Sequence, residues 1–198
     1  METLTLLDLT GTLFGLLYLY LEYRASIHLW VVSMVMPAID LFVYYQAGLY
    51  ADFGMAIYYL LAAVYGWAVW ARKKPAESVD EKGGNSAELA ITHTPLRVAL
   101  MLGALFLVLW VAMYYVLSRF TDSTVPLTDS FGNSLSIIAL WMLARKYVEQ
   151  WLVWFVVDAL FFVLYIHKGV PFHGCLYGFY TVMAIVGYWK WLQMMKAQ

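Results

Sequence analysis

Seven stretches of this chain are each apolar over a length that can cross a bilayer: Thr5 to Leu21, Ile27 to Tyr45, Leu49 to Trp70, Val98 to Leu117, Leu127 to Ala144, Trp151 to His167 and Cys175 to Leu192. A hydrocarbon core about 30 Å thick needs roughly 17 to 25 helical residues to span it. Backbone polar groups surrounded by lipid must be satisfied within a helix or a closed barrel, and no stretch here alternates in polarity as a barrel strand would. The expected fold class is therefore all-α and integral to the membrane, with seven transmembrane helices. Composition agrees, since 13% of the residues are charged where a soluble domain carries about a quarter. The lipid bilayer is the chain's first expected partner.

The pattern occurs twice. Sliding Asp8 to Trp70 forward by 121 residues onto Asp129 to Trp191 requires no gap and superimposes Asp8 on Asp129, Gly11 on Gly132, Arg24 on Arg145 and Trp30 on Trp151. Tyr44 then meets Tyr165, Gly48 meets Gly169, Tyr59 meets Tyr180, Gly66 meets Gly187 and Trp70 meets Trp191. Shared apolar composition accounts for matched Leu or Val, but not for Gly, Arg and Trp in one register. Two three-helix units joined directly would be inverted relative to each other, and the extra helix at Val98 to Leu117 restores the orientation. The expected arrangement is 3+1+3 parallel repeats about an axis along the membrane normal, with a shared site near the midplane. Residues 1–74 form the first repeat, 75–96 a polar and flexible cytoplasmic linker, 97–121 the linking helix and 122–198 the second repeat.

Basic residues collect in cytoplasmic loops. With seven spans threaded in order, Arg24, Arg72, Lys73, Lys74, Lys82, Arg97, Arg145, Lys146, Lys190 and Lys196 fall on one side, and Arg119 and Lys168 on the other. This places the amino terminus outside and the carboxyl terminus in the cytoplasm. Glu2 and Asp8 give the start no positively charged n-region, so the first helix is expected to be retained.

Trp151, Trp154 and Asp158 stand at i, i+3 and i+7 and so share one stripe of the sixth helix. A charged carboxylate near the centre of a span costs about 2.5 to 3.5 kcal/mol on insertion scales, and indole faces attract cations. The stripe suits a flat, positively charged heteroaromatic solute. The alternative is an interfacial belt role for Trp151 and a structural hydrogen bond for Asp158. On the fifth helix Asp129, Asn133 and Ser136 offer hydrogen bonds suited to sugar hydroxyls or an amide, with Asp129 also placed to favour a helix start. Tyr177, Tyr180, Thr181 and Ala184 form a comparable stripe on the seventh. Asp40, one turn beyond the helix-kinking Pro37, either attracts a cation or bonds a neighbouring Tyr. Gly11 with Gly15 and Gly174 with Gly178 read as close-packing pairs.

Several classes are excluded. One cysteine, Cys175, cannot form an internal disulfide or a Cys-rich metal site. The four histidines show no helical i, i+4 pairing, there is no phosphate-binding GxxxxGK[ST] loop, and no catalytic triad or carboxylate pair suggests an enzyme. No cofactor, metal or nucleic-acid partner is expected.

The run Ala144-Arg145-Lys146-Tyr147-Val148-Glu149-Gln150-Trp151-Leu152-Val153-Trp154, continuing through Tyr165, Lys168-Gly169, Leu176-Tyr177 and Gly187-Tyr188 to Trp191, resembles the PnuC family of nicotinamide riboside transporters. Leu49-Tyr50-Ala51-Asp52, Tyr58-Tyr59 and Tyr65-Gly66-Trp67 in the first repeat are similar to it too. The resemblance covers nearly the whole chain apart from the linker. It implies a SWEET-like pair of three-helix bundles with a linking helix, in a homotrimer of the bacterial inner membrane. It further implies facilitated uptake of a vitamin precursor, most simply nicotinamide riboside, with a cytoplasmic kinase trapping the solute. The candidate substrate contacts, read from the residues themselves, are Trp151, Trp154, Asp158, Asn133, Tyr177, Tyr180 and Asp40. Thiamine carriers of the same fold are the alternative, since both solutes are flat, cationic and hydroxylated, and many relatives carry Asn where Asp158 stands. From another class, a membrane subunit or sensor could bind the ligand without moving it.

Overall fold

The computed structural model describes residues 2–48, 50–72, 89–121, 123–169 and 171–198. They form seven α-helices, α1 (Glu2–Tyr23), α2 (His28–Ala47), α3 (Tyr50–Ala71), α4 (Leu96–Phe120), α5 (Pro126–Ala144), α6 (Gln150–His167) and α7 (Pro171–Lys196). Every expected helix is present, and most extend a residue or several beyond their purely apolar stretch. α2, α3, α4 and α6 are long and apolar enough to cross a membrane. The helices α5 and α7 fall short of that hydropathy, and for α5 the reason is visible: Thr128, Asp129, Ser130, Asn133, Ser134 and Ser136 crowd its first half. Such a helix is kept in a membrane protein by neighbours that take up its polar groups. The chain divides into two compact units, Met1–Leu89 and Ala90–Gln198.

In the first unit α2 packs on α3, and α1 on α2. The turn between α2 and α3 is set by Gly48, left-handed at φ 70°, whose N–H is donated back to the carbonyls of Tyr44 and Tyr45. Glycine adopts this conformation without the Cβ clash that other residues meet. α2 continues through Pro37 instead of ending there. Its buried end carries Leu29 and Trp30. The Trp30 indole stands edge-on to Trp70 at 5.6 Å and 89° and lies directly over the bare backbone of Gly66.

The second unit pairs α4 with α5, α5 with α6 and α6 with α7. Leu102 from α4 meets Ile138 and Met142 from α5 in a buried cluster, and Pro126 opens α5 at a position where its missing N–H costs nothing. The packing of the first unit recurs at the same 121-residue offset. Trp151 stands edge-on to Trp191 at 5.9 Å and 85° over Gly187, Gly169 turns the chain at φ 70°, and Lys146 takes the left-handed conformation that Ala25 takes in the first unit, at φ 54° and 49°. Gly174 and Gly178 let α7 approach Ile166 and Phe162 of α6, which is the packing use expected of them. The surroundings of Gly11 lie outside the described residues.

Residues 75–88 of the expected linker also lie outside the described residues. The remainder, 89–95, is not the loose connector that its polarity suggested. Thr92 forms a parallel bridge with Tyr147, its N–H donating to the Lys146 carbonyl at 3.1 Å and its carbonyl accepting from the Val148 N–H at 3.0 Å. Ile91 is buried and donates its N–H to Gln198 Oε1 at 3.0 Å. One apolar side chain and a run of backbone hydrogen bonds hold this strap across the corner between α5 and α6.

Candidate functional site

The site is organised by α6. Gln150, Trp154 and Asp158 lie at i, i+4 and i+8, so they share a face, with Phe161 and Tyr165 continuing it toward the far end of the helix. Asp158 is buried. Among the described residues no Lys, Arg or His reaches it as an ion-pair partner, and the side chain in electrostatic range is Tyr180 on α7. The indole nitrogens of Trp151 and Trp154 are buried, and neither has a hydrogen-bond partner among the described residues. Trp151 is 1% exposed and packed on Trp191, whereas Trp154 is only half-buried.

Aromatic residues of α6 and α7 interleave beyond Asp158. Tyr165 stacks on Tyr177 at 5.3 Å and 16°, Phe161 lies 5.3 Å from Tyr177, and Tyr177 meets Tyr180 edge-on at 5.9 Å. α5 can approach this tier because Gly132 has no side chain: a Cβ there would fall 2.5 Å from Phe161 Cζ. Asn133 follows Gly132 on α5 and is half-buried. Since Gly132 abuts Phe161, the polar half of α5 runs level with the Asp158 region of α6.

The hydroxyls of α5 divide into two kinds. Ser130 donates to the Leu127 carbonyl at 3.0 Å and Ser136 to the Gly132 carbonyl at 2.9 Å, so both are satisfied within their own helix. Asp129 accepts from Ser123 Oγ at 2.7 Å, which fixes it as part of the helix start. Ser134 Oγ is fully buried and has no hydrogen-bond partner among the described residues. On α7, Thr181 Oγ1 donates to the Tyr177 carbonyl at 2.8 Å.

Five of the expected contacts lie in the second unit, Trp151, Trp154 and Asp158 on α6 and Tyr177 and Tyr180 on α7, with Tyr180 beside both Asp158 and Tyr177 and Trp151 packed on Trp191. Asn133 lies on the helix beside them. Asp40 is on α2, in the first unit, and half-buried. Sequence reasoning passed over Gln150, although its position four residues before Trp154 and eight before Asp158 was the available signal. It gave Glu149 no role beyond a charge at the cytoplasmic boundary. This residue stands at the N-cap of α6 without capping it, and its carboxylate instead accepts from His93 Nδ1 at 2.6 Å and from the Thr94 N–H and Oγ1, each at 2.8 Å. Burial pushes the Glu149 carboxyl up, but these hydrogen bonds outweigh it and hold the group below the usual carboxylate range. No group of three potential metal-ligating side chains occurs among the described residues.

Apolar helices here bury an acid and two indole N–H groups on α6, and comparison with known proteins gives the class, a family of membrane transporters. Residues 5–193 match the family model described as Nicotinamide mononucleotide transporter, and the chain belongs to that family. It is 25% identical to the nicotinamide riboside transporter PnuC of Escherichia coli (strain K12), over 96% of this chain and 86% of that protein. It is 26% identical to the riboflavin/roseoflavin transporter RibM of Streptomyces davaonensis, over 93% of this chain and 83% of that protein. The fold is that of a solved structure, described as the crystal structure of the vitamin B3 transporter PnuC, with a TM-score of 0.69, 21% identity, and coverage of 94% of this chain and 80% of that one.

Proposed function

We propose that this protein is a uniporter for nicotinamide riboside. In this reading seven spans form two parallel three-helix repeats in the SWEET-like manner, joined by α4, with the amino terminus outside and the carboxyl terminus in the cytoplasm of a bacterial inner membrane. The solute occupies a midplane site made by Trp151, Trp154, Asp158, Asn133, Tyr177 and Tyr180, with Asp40 drawing the cation in from the outer side. Rocking of the repeats exposes the site alternately, which needs no energy source beyond the solute gradient. A cytoplasmic kinase makes uptake one-way by phosphorylating the solute, and the assembly is a homotrimer.

The observation that carries the reading is Asp158, buried on the Trp154 face of α6 with Tyr180 in electrostatic range and no cationic partner among the described residues. A cationic ring would supply the missing counter-charge, and the indole beside it would hold the ring's face. Calorimetric titration of nicotinamide riboside against wild type, Asp158→Ala and Trp154→Ala tests this, and unchanged affinity in both variants defeats it. Counterflow of labelled solute in liposomes distinguishes a carrier from a sensor that binds without translocation.

The RibM likeness favours a second reading, in which the solute is riboflavin. A neutral flavin draws nothing from the charge of Asp158, so Asp158→Asn separates the two, weakening a cation and sparing the flavin. Thiamine, being cationic, belongs in the same titration panel.

A further inference from the structure

Gln150 is fully buried, at 0% exposure, on the face of α6 that carries Trp154 and Asp158. Neither its Oε1 nor its Nε2 has a hydrogen-bond partner among the described residues. Leaving both halves of an amide in that state is unfavourable, because the hydrogen bonds given up to water are not replaced. The two indole N–H groups of Trp151 and Trp154, within one turn of it, are in the same condition.

The first unit shows that packing does not require an amide here. The residue matched to Gln150 at the 121-residue offset is Leu29, which is equally buried. It is preceded by a left-handed residue, Ala25, as Gln150 is by Lys146, and followed by an edge-on Trp pair over glycine, as Gln150 is. Leucine fills the position in one unit while the other retains a polar group at a cost to folding. The same comparison sets Ser33 against Trp154 and Pro37 against Asp158. All three residues of the polar face are peculiar to the second unit.

Glutamine differs from the other two in offering a donor and an acceptor side by side. The solute group that matches both at once is a primary carboxamide, which presents the complementary pair. Along α6, four residues rise about 6 Å, so an amide held at Gln150 leaves the ring bearing it beside Trp154, with the rest of the solute extending toward Asp158. We propose that Gln150 is a specificity-determining residue of the α6 site, pairing through Oε1 and Nε2 with a carboxamide on the solute's ring. The assignment rests on the α6 site proposed above.

The test titrates the purified full-length protein with nicotinamide riboside and with N-ribosylpyridinium, which has the same ring and sugar but no carboxamide. Wild type is expected to prefer the amide-bearing solute by about tenfold or more, the yield of a paired amide contact. Gln150→Leu, which copies the first unit, and Gln150→Met, which keeps the side chain unbranched, should erase that preference. Both should leave N-ribosylpyridinium affinity within about twofold and raise the thermal midpoint, since an unsatisfied amide has gone. A wild type that does not discriminate, or variants that weaken both solutes equally or neither, overturn the assignment. Asp158→Ala keeps the two levels apart. If it leaves both affinities intact, the α6 site itself is wrong; if it abolishes both while Gln150→Leu retains the preference, only the role of Gln150 is wrong.

Discussion

Trp151 stands edge-on to Trp191 at 5.9 Å, with the two ring planes at 85°, and the space for this contact is the missing side chain of Gly187. The same triad, Trp30 with Trp70 over Gly66, ties α2 to α3 in the first unit. In each case a helix entering from a left-handed turn buries its first indole against the last turns of its partner. Edge-to-face aromatic pairs contribute about 0.5–1.5 kcal/mol beyond the area they bury. The triad is therefore the structural use of the sequence match, and it accounts for burial of Trp151 without a ligand.

Gly187→Ala should be strongly destabilising. The added Cβ would fall 2.6 Å from the Trp151 ring, a ring held on its other side by Trp191, and overpacking of this kind costs about 1–3 kcal/mol. Gly103→Ala provides the contrast. A Cβ on Gly103 meets nothing within 4 Å, and exchange of helical Gly for Ala gains up to about 1 kcal/mol. Thermal unfolding in one detergent should lower the midpoint of the first variant and leave the second equal to or above wild type.

Gly48→Ala and Gly169→Ala test the two turns through the backbone alone. Both glycines sit at φ 70° with open space where a Cβ would go, so strain in the left-handed conformation is the whole effect, about 1–2 kcal/mol. The two variants should lose similar stability, and Gly169→Asn should lose less because Asn tolerates this region. Unequal losses in thermal unfolding would show that the two turns are not equivalent.

The strap across the α5–α6 corner gives the protein an acid-sensitive contact. Because hydrogen bonds hold Glu149 below its ordinary value of 4.5, its stabilising contribution is present above that value and disappears as the pH falls through the lower folded-state value. Glu149→Gln should be less stable than wild type at neutral pH and flatter in its pH dependence at and below pH 4.5. Thermal midpoints measured across the acid range check the sign, and parallel curves for the two proteins would show that Glu149 does not contribute to it.

How much of this was legible in the sequence depended on which force placed each residue. The helices and the repeat were, because apolar length and a register of Gly, Arg and Trp are local signals that the bilayer reads directly. The stripe of Trp154 and Asp158 was visible too, being a matter of helical spacing. Gln150 shares that spacing, yet what singles it out is a buried amide without a hydrogen-bond partner among the described residues, which helical spacing alone does not show. Glu149 read as a boundary charge because its partners, His93 and Thr94, are 56 and 55 residues away. The strap itself was hidden in a polar stretch whose order comes from backbone hydrogen bonds to the 146–148 segment rather than from any pattern of its own. Trp151 read equally as belt or ligand contact, and the Trp191 contact that buries it lies on another helix.

Whether Trp154 and Asp158 act on one solute is decided by a double-mutant cycle. If the indole face and the carboxylate grip the same cationic ring, then removing either disturbs the pose on which the other depends, and the losses are coupled. A cation–π contact contributes about 0.5–2 kcal/mol, so Trp154→Leu should weaken nicotinamide riboside binding by about 2- to 30-fold, and Trp154→Phe by less. Asp158→Asn should weaken it further still, because the charge lost is buried and acts through little intervening water. The double variant Trp154→Leu/Asp158→Asn should then bind more tightly than the product of the two single losses implies. Calorimetry on the four proteins supplies the cycle, and strictly additive losses would place the two residues on separate tasks, with Asp158 bonded to Tyr180 for structure and Trp154 alone against the solute.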